Sequence, residues 1–235
     1  MGRVTTYGTL GTEVGSLLLD RLYATGQKPA VLYAHGLNAQ PWGPINNPMP
    51  GLERLSELGF AVSSHALGGV ATWGNSASQT KMGDAKAYMQ AAPVSAKAGP
   101  VLLYGGSMGT LTALNYTLAN PSNVLAVAAI LPAVSLQSLR DNAAYTASVE
   151  AAYGGNAGYL AALATHSPLV RAAEFASLGI PMKLWYSTDD TVVIPSTVTD
   201  FAAASGASLQ SMGATAHTVP DRFGYESAEW LASHA

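Results

Sequence analysis

Among the residues of this chain, the serine of Gly105-Gly106-Ser107-Met108-Gly109 is the one best placed to do chemistry. A short apolar run, Val101-Leu102-Leu103-Tyr104, precedes it and reads as a buried strand. The segment from Met108 to Leu118 has apolar residues at helical spacing and stops at Asn120-Pro121. A serine on so abrupt a strand-to-helix turn is held in a strained backbone conformation, with its hydroxyl pushed clear of the sheet edge. Glycine at 105 and 109 lets helix and strand pass closely, because a β-carbon at either place would collide. The hydroxyl then lies near the positive end of the following helix, where developing negative charge is favoured. Ser107 is therefore expected to be a nucleophile.

A serine hydroxyl is weakly nucleophilic at neutral pH and needs a general base, usually histidine. Of the five histidines, His35 and His65 end early strand candidates, His166 lies in a helical stretch and His234 is the penultimate residue. His217 follows the last strand candidate, and catalytic groups gather outside the carboxyl ends of parallel strands. An imidazole base in turn needs a carboxylate on its other nitrogen, to fix the tautomer and stabilise the cation. Lys183-Leu184-Trp185-Tyr186-Ser187-Thr188-Asp189-Asp190 leaves two carboxylates at a strand end. One of them can cap the helix starting near Pro195 while the other orients His217.

These three residue types must be positioned by alternating strands and helices. Thr5–Leu10 reads as a strand, and Leu17-Leu18-Leu19 with Leu22-Tyr23 as either a buried helix or a strand pair. From Ala30 the pattern is regular: strands at 30–34, 60–64, 101–104, 124–131, 183–186 and 208–212. Helices are expected at 52–58 (closed by Gly59), 75–90, 108–118 and 226–234, the last with Trp230 and Leu231 inward. This rhythm predicts an α/β fold, a mostly parallel sheet covered on both faces. Residues 135–179 break it with alanine-rich helical pieces and no strand candidate. They are expected to form a small helical cap over the carboxyl edge of the sheet; the alternative is two crossover helices with a long loop.

Length and composition set the outer limits. At 235 residues, 49% hydrophobic and 11% charged, with no repeat or linker, the chain reads as a single domain, 1–235, with a large core. So little charge leaves a sparsely solvated surface, which fits association with further copies or with a larger particle. A net charge of -3 without a basic cluster argues against nucleic acid or an anionic membrane surface. The absence of cysteine excludes disulfides, thiol nucleophiles and thiolate metal sites. Met1-Gly2-Arg3 opens a stretch with no apolar core of a signal peptide, and no run is long enough to span a bilayer. The expected location is cytoplasmic or phage- or particle-associated.

From Ala30 onward the chain resembles an α/β-hydrolase of the serine esterase and lipase kind. The resemblance rests on Gly105–Gly109, on His35-Gly36 after the third strand, on aspartate before Val192-Val193 and Pro195, and on a late histidine. The order Ser107, Asp190, His217 is the one that fold imposes. In the family the acid follows Tyr-Gly-x-x; aligning Ser187 with that glycine selects Asp190 over Asp189, although serine replaces glycine and Pro195 comes one residue late. The resemblance also implies an oxyanion hole from the backbone N–H groups of Met108 and Leu37, with His35 orienting its loop. Gly68-Gly69-Val70-Ala71-Thr72-Trp73-Gly74-Asn75 and the alanine-rich composition are distantly similar to hydrolases encoded by actinobacteria and their phages.

The chemistry so implied is cleavage of a small-molecule, lipid or cell-surface carboxylic ester through an acyl-enzyme, with water completing the cycle. No metal or cofactor is required. Trp42 and Trp73 are candidates for the wall of an acyl pocket; core packing or a sugar-stacking surface is the alternative for each. Peptidase, thioesterase or acyltransferase chemistry would use the same three residues. Dehalogenase and epoxide-hydrolase chemistry would want aspartate at 107. The rival from another class is a non-catalytic structural or binding member of the fold.

Overall fold

In the computed structural model, residues 4–20, 22–46 and 49–235 are described. Met1–Arg3, on which the expectation about export rests, lie outside them. The strands are β1 (Val4–Leu10), β2 (Glu13–Leu19), β3 (Val31–Ala34), β4 (Val62–His65), β5 (Val101–Gly106), β6 (Val124–Ile130), β7 (Met182–Tyr186) and β8 (Ser208–Ser211). The helices are α1 (Gly43–Asn46), α2 (Pro50–Glu57), α3 (Ser76–Gln90), α4 (Gly109–Ala119), α5 (Leu136–Asp141), α6 (Thr146–Ala152), α7 (Asn156–His166), α8 (Ala172–Ala176), α9 (Pro195–Ser205) and α10 (Asp221–Ala232). The strands form one sheet in the order β1-β2-β4-β3-β5-β6-β7-β8. β1 pairs with β2, and β2 with β4, antiparallel; every later pairing is parallel.

Alternation along the central strands explains why both faces are covered. On β5, Val101 and Leu103 face the core shared with α3, α4 and α9, through Met82, Leu111, Leu114 and Phe201. Leu102 and Tyr104 face the opposite core, with Leu52 and Leu55 of α2 and Leu231 of α10. With both faces buried, such strands read as continuous apolar runs. α2 and α10 meet where Gly51 and Gly224 pass; a β-carbon on Gly51 would stand 2.6 Å from the Tyr104 hydroxyl. That hydroxyl, whose pKa burial raises to about 12, hydrogen-bonds Ser227 Oγ at 2.6 Å.

The order reverses around β3, which lies between β4 and β5. The chain leaves β3 over one face through α2 and returns to β5 over the other through α3. A crevice opens at the carboxyl ends of β3 and β5, where such folds bind ligands.

Two early ambiguities resolve into structure. Leu17–Leu19 belong to β2, half of a hairpin with β1; Leu18 is fully buried because β2 also pairs with β4. The closing helix starts five residues before the expected Glu226, at Asp221. Phe223 supplies an additional buried turn on the face that carries Ala228 and Leu231. Residues 135–179 hold α5–α8 and no strand. Leu136, Leu139, Val149, Tyr159 and Phe175 join the α3/α4/α9 core. Among the described residues no helix is long and apolar enough to cross a membrane.

Candidate active site

Ser107 stands between β5 and α4 with φ +48°, a left-handed conformation costly for any residue with a β-carbon. Backbone bonds on both sides hold it there. Its N–H donates to the Ile130 carbonyl at 3.0 Å, and its carbonyl accepts from Thr110 N–H at 3.0 Å and Ala133 N–H at 3.2 Å. A β-carbon at 105 would stand 2.9 Å from Thr110 Cα, and one at 109 would collide with the Ala34 carbonyl. The glycines are thus what lets α4 start against β3 and β5.

Ser107 Oγ lies 2.9 Å from His217 Nε2, and His217 Nδ1 lies 2.7 Å from Asp190 Oδ2. A carboxylate accepts only, so Nδ1 carries the proton and Nε2 is left to accept from the serine. Asp190 is 5% exposed, and its other oxygen accepts from the Val192 and Val193 N–H groups at 2.8 and 3.0 Å. Burial without those bonds would be costly; with them the carboxylate is fully engaged. Asp189 faces elsewhere. Its Oδ1 accepts from Ser187 Oγ and from the Ala216 N–H, each at 2.7 Å. The Ser187 hydroxyl first, and then that amide, hold its pKa below the usual carboxylate range.

A cavity of about 410 Å³ opens over Ser107 and His217, lined by Leu37, Trp73, Met108, Leu139, Tyr145 and Val192 among others. Met108 and Leu37 border the serine from two loops. Among the described residues, neither backbone N–H donates to a protein acceptor. His35, 2% exposed, has its ring nitrogens 3.0 and 3.2 Å from the carbonyls of Gly36 and Ala66, which ties the loop after β3 to the one after β4.

The two tryptophans part company. Trp73, 2% exposed, walls the cavity; its Nε1 donates to Ser148 Oγ at 2.8 Å and its carbonyl accepts from the Tyr153 hydroxyl at 2.8 Å. Trp42 is a correction to the expected pocket wall: it is not among the cavity residues and packs edge-on against Tyr7 of β1, with centroids 5.2 Å apart. The Pro41 carbonyl beside it accepts from Ser16 Oγ of β2 at 2.6 Å, which ties this part of the loop to the hairpin rather than to the site. Leu139, Tyr145 and Val192 carry no signal in the sequence, because lining a cavity leaves no motif. Only the strandless stretch 135–179 hinted at the first two.

The other histidines lack such an arrangement. His65, 3% exposed, has an Nε2 without a partner; burial lowers its pKa to about 4. His166 Nε2 lies 3.0 Å from Ser76 Oγ, but its Nδ1 faces the Thr165 hydroxyl rather than a carboxylate.

No family model matches the sequence, and no curated protein matches it. Solved structures do. A fluorophosphonate-binding serine hydrolase F of Staphylococcus aureus superposes with a TM-score of 0.74 at 14% identity, covering 97% of this chain and 96% of that one. An S-formylglutathione hydrolase from Agrobacterium tumefaciens gives 0.68 at 15% identity, over 99% and 94%. A monoacylglycerol lipase of Paleococcus ferrophilus gives 0.65 at 15%, over the whole of both chains. At such identities the likeness is one of architecture, carried through the full length of the sheet and its helices. The chain has the α/β-hydrolase fold.

Proposed function

We propose that the protein is a serine hydrolase that cleaves small carboxylic esters through an acyl-enzyme. The observation that carries this is the hydrogen-bonded relay from Ser107 through His217 to buried Asp190, at 2.9 and 2.7 Å, opening into a cavity. A structural or binding role has no use for a strained serine backed by an oriented imidazole and a buried carboxylate.

In this mechanism Ser107 Oγ attacks the ester carbonyl while His217 Nε2 takes its proton. The carbonyl oxygen becomes an oxyanion, stabilised by the N–H groups of Met108 and Leu37, whose lack of protein acceptors leaves them available. Each such donor is worth about 3 kcal/mol of barrier. Asp190 holds the imidazolium that forms. His217 then protonates the departing alcohol, and water repeats the sequence on the acyl-enzyme to release the acid and restore Ser107.

The cavity suggests the substrate. Residues 135–179 serve as a cap that supplies Leu139 and Tyr145, facing Trp73, Met108 and Val192. Among the described residues none of the lining side chains is lysine, arginine, aspartate or glutamate, so the fit is to an uncharged ester with a short apolar acyl group. The wild-type protein is expected to label covalently with a fluorophosphonate and to hydrolyse p-nitrophenyl acetate and butyrate. A folded wild-type protein that does neither would overturn the reading.

A further inference from the structure

The ladder between β7 and β8 is regular up to Tyr186 and Ser211, and backbone bonds extend it slightly. Met212 N–H donates to the Tyr186 carbonyl at 2.8 Å, and Thr188 N–H to the Gly213 carbonyl at 3.0 Å. Beyond Gly213 the backbone pairing ends, four residues before His217. Side chains then take over. Thr215 N–H donates to Ser187 Oγ at 3.0 Å, Ser187 Oγ donates to Asp189 Oδ1 at 2.7 Å, and Ala216 N–H donates to the same oxygen at 2.7 Å. Ala216 has φ +49°, a conformation a residue with a β-carbon keeps only where its surroundings impose it. His217 is the next residue.

We propose that Ser187 and Asp189 form a latch that fixes the His217 loop, with Asp189 acting as a positioning residue for the imidazole. Neighbouring carboxylates then hold neighbouring residues: Asp190 the His217 ring, Asp189 the backbone that aims it. This explains serine at 187, which is 1% exposed and whose hydroxyl both accepts from one loop amide and donates to the carboxylate that binds the next. Ionised Asp189 makes the Ala216 bond charge-assisted and hence stronger than an amide–carbonyl contact. The latch bears on catalysis only through the reading of His217 as the base, but its geometric content does not depend on that reading.

Asp189→Ala removes the acceptor, and Asp189→Asn keeps an oxygen that can accept from both donors. With p-nitrophenyl butyrate, Asp189→Ala is expected to lower kcat about tenfold with KM within about twofold, as misplacement of a catalytic group does. Asp189→Asn should recover to within about threefold of wild type. A role in stability alone would lower Tm and leave the kcat of the folded protein unchanged. Proton NMR supplies a readout independent of turnover: the low-field resonance of the His217 Nδ1 proton, shared with Asp190, should be sharp in wild type and Asp189→Asn and broadened in Asp189→Ala. If Asp189→Ala does not fold, Ser187→Ala tests the same latch and should cost kcat several-fold. Wild-type kcat and a sharp resonance in Asp189→Ala, or in Ser187→Ala where that variant stands in, would overturn the proposal. So would equal losses in Asp189→Ala and Asp189→Asn. An inactive wild-type protein with the expected resonance pattern would sink the ester reading and leave the latch standing.

Discussion

Ser76 lies 3.0 Å from His166 Nε2, almost the distance that separates Ser107 from His217, 2.9 Å. The two contacts differ in everything that surrounds them. Ser76 is an exposed first residue of α3, whose start is capped by Asn75. Ser107 sits in a left-handed turn over a cavity. Behind His166 is the Thr165 hydroxyl, and behind His217 the buried carboxylate of Asp190. A hydroxyl cannot stabilise an imidazolium as a carboxylate does, and burial further lowers the pKa of His166. The Ser76 contact instead belongs to a seam between α7 and the loop before α3, together with Asn75 Nδ2 on the Ala152 carbonyl and Asn115 Nδ2 on the carbonyls of Gly74 and His166. A serine–histidine distance alone therefore says little; what activates a serine is the third group and the backbone.

The widest expected separation between the two regions is at the serines. Under the proposed mechanism Ser107→Ala should lose roughly a hundred-thousandfold in kcat for p-nitrophenyl butyrate and all fluorophosphonate labelling. Asp190→Asn should cost on the order of a thousandfold or more, because an amide at that position favours the wrong imidazole tautomer. If Asp190→Asn remained within tenfold of wild type, the contrast between His217 and His166 would collapse. Trp73 joins the two regions, since its ring walls the cavity while its loop leads into the seam. Trp73→Leu opens the wall and should raise kcat/KM for p-nitrophenyl octanoate relative to butyrate by about tenfold. An unchanged chain-length profile would place the acyl group elsewhere. The smallest effect belongs to Ser76→Ala, which should leave kcat/KM within about twofold and change stability by about 0.5 kcal/mol in a denaturant titration.

Much of this arrangement was legible in the sequence, for identifiable reasons. Apolar runs at 101–104 and 124–131 announce strands buried on both faces, and the spacing of their helices gives the parallel sheet. Gly105 and Gly109 could be read because the turn they flank has a steric requirement that only glycine meets, and the turn comes out as expected at φ +48° for Ser107. The approach of Ser107, His217 and Asp190 is legible from strand ends in order, since parallel strands deliver all such ends to one edge. Loop side chains were not legible. Trp42 stays close to Leu37 in sequence yet turns toward Tyr7, and nothing local encodes that direction. The bonds from Ser187 and Asp189 to Thr215 and Ala216 span more than two dozen residues, and their polar types read alone as an ordinary turn. Leu139 and Tyr145 enter the site through tertiary packing, which no periodicity in 135–179 reports.

Under the proposed mechanism, a cavity without lysine, arginine, aspartate or glutamate among its described lining residues bears on the end of the cycle. Ester hydrolysis turns a neutral guest into an acid that ionises at neutral pH. On the proposed reading the guest enters by burying apolar surface against Leu37, Trp73, Leu139 and Val192. As a carboxylate it would find, among the described residues, no lysine or arginine in the cavity to replace its lost hydration. The wall that admits the substrate would thus be poor solvent for what the reaction makes of it, and turnover itself would drive the acid out.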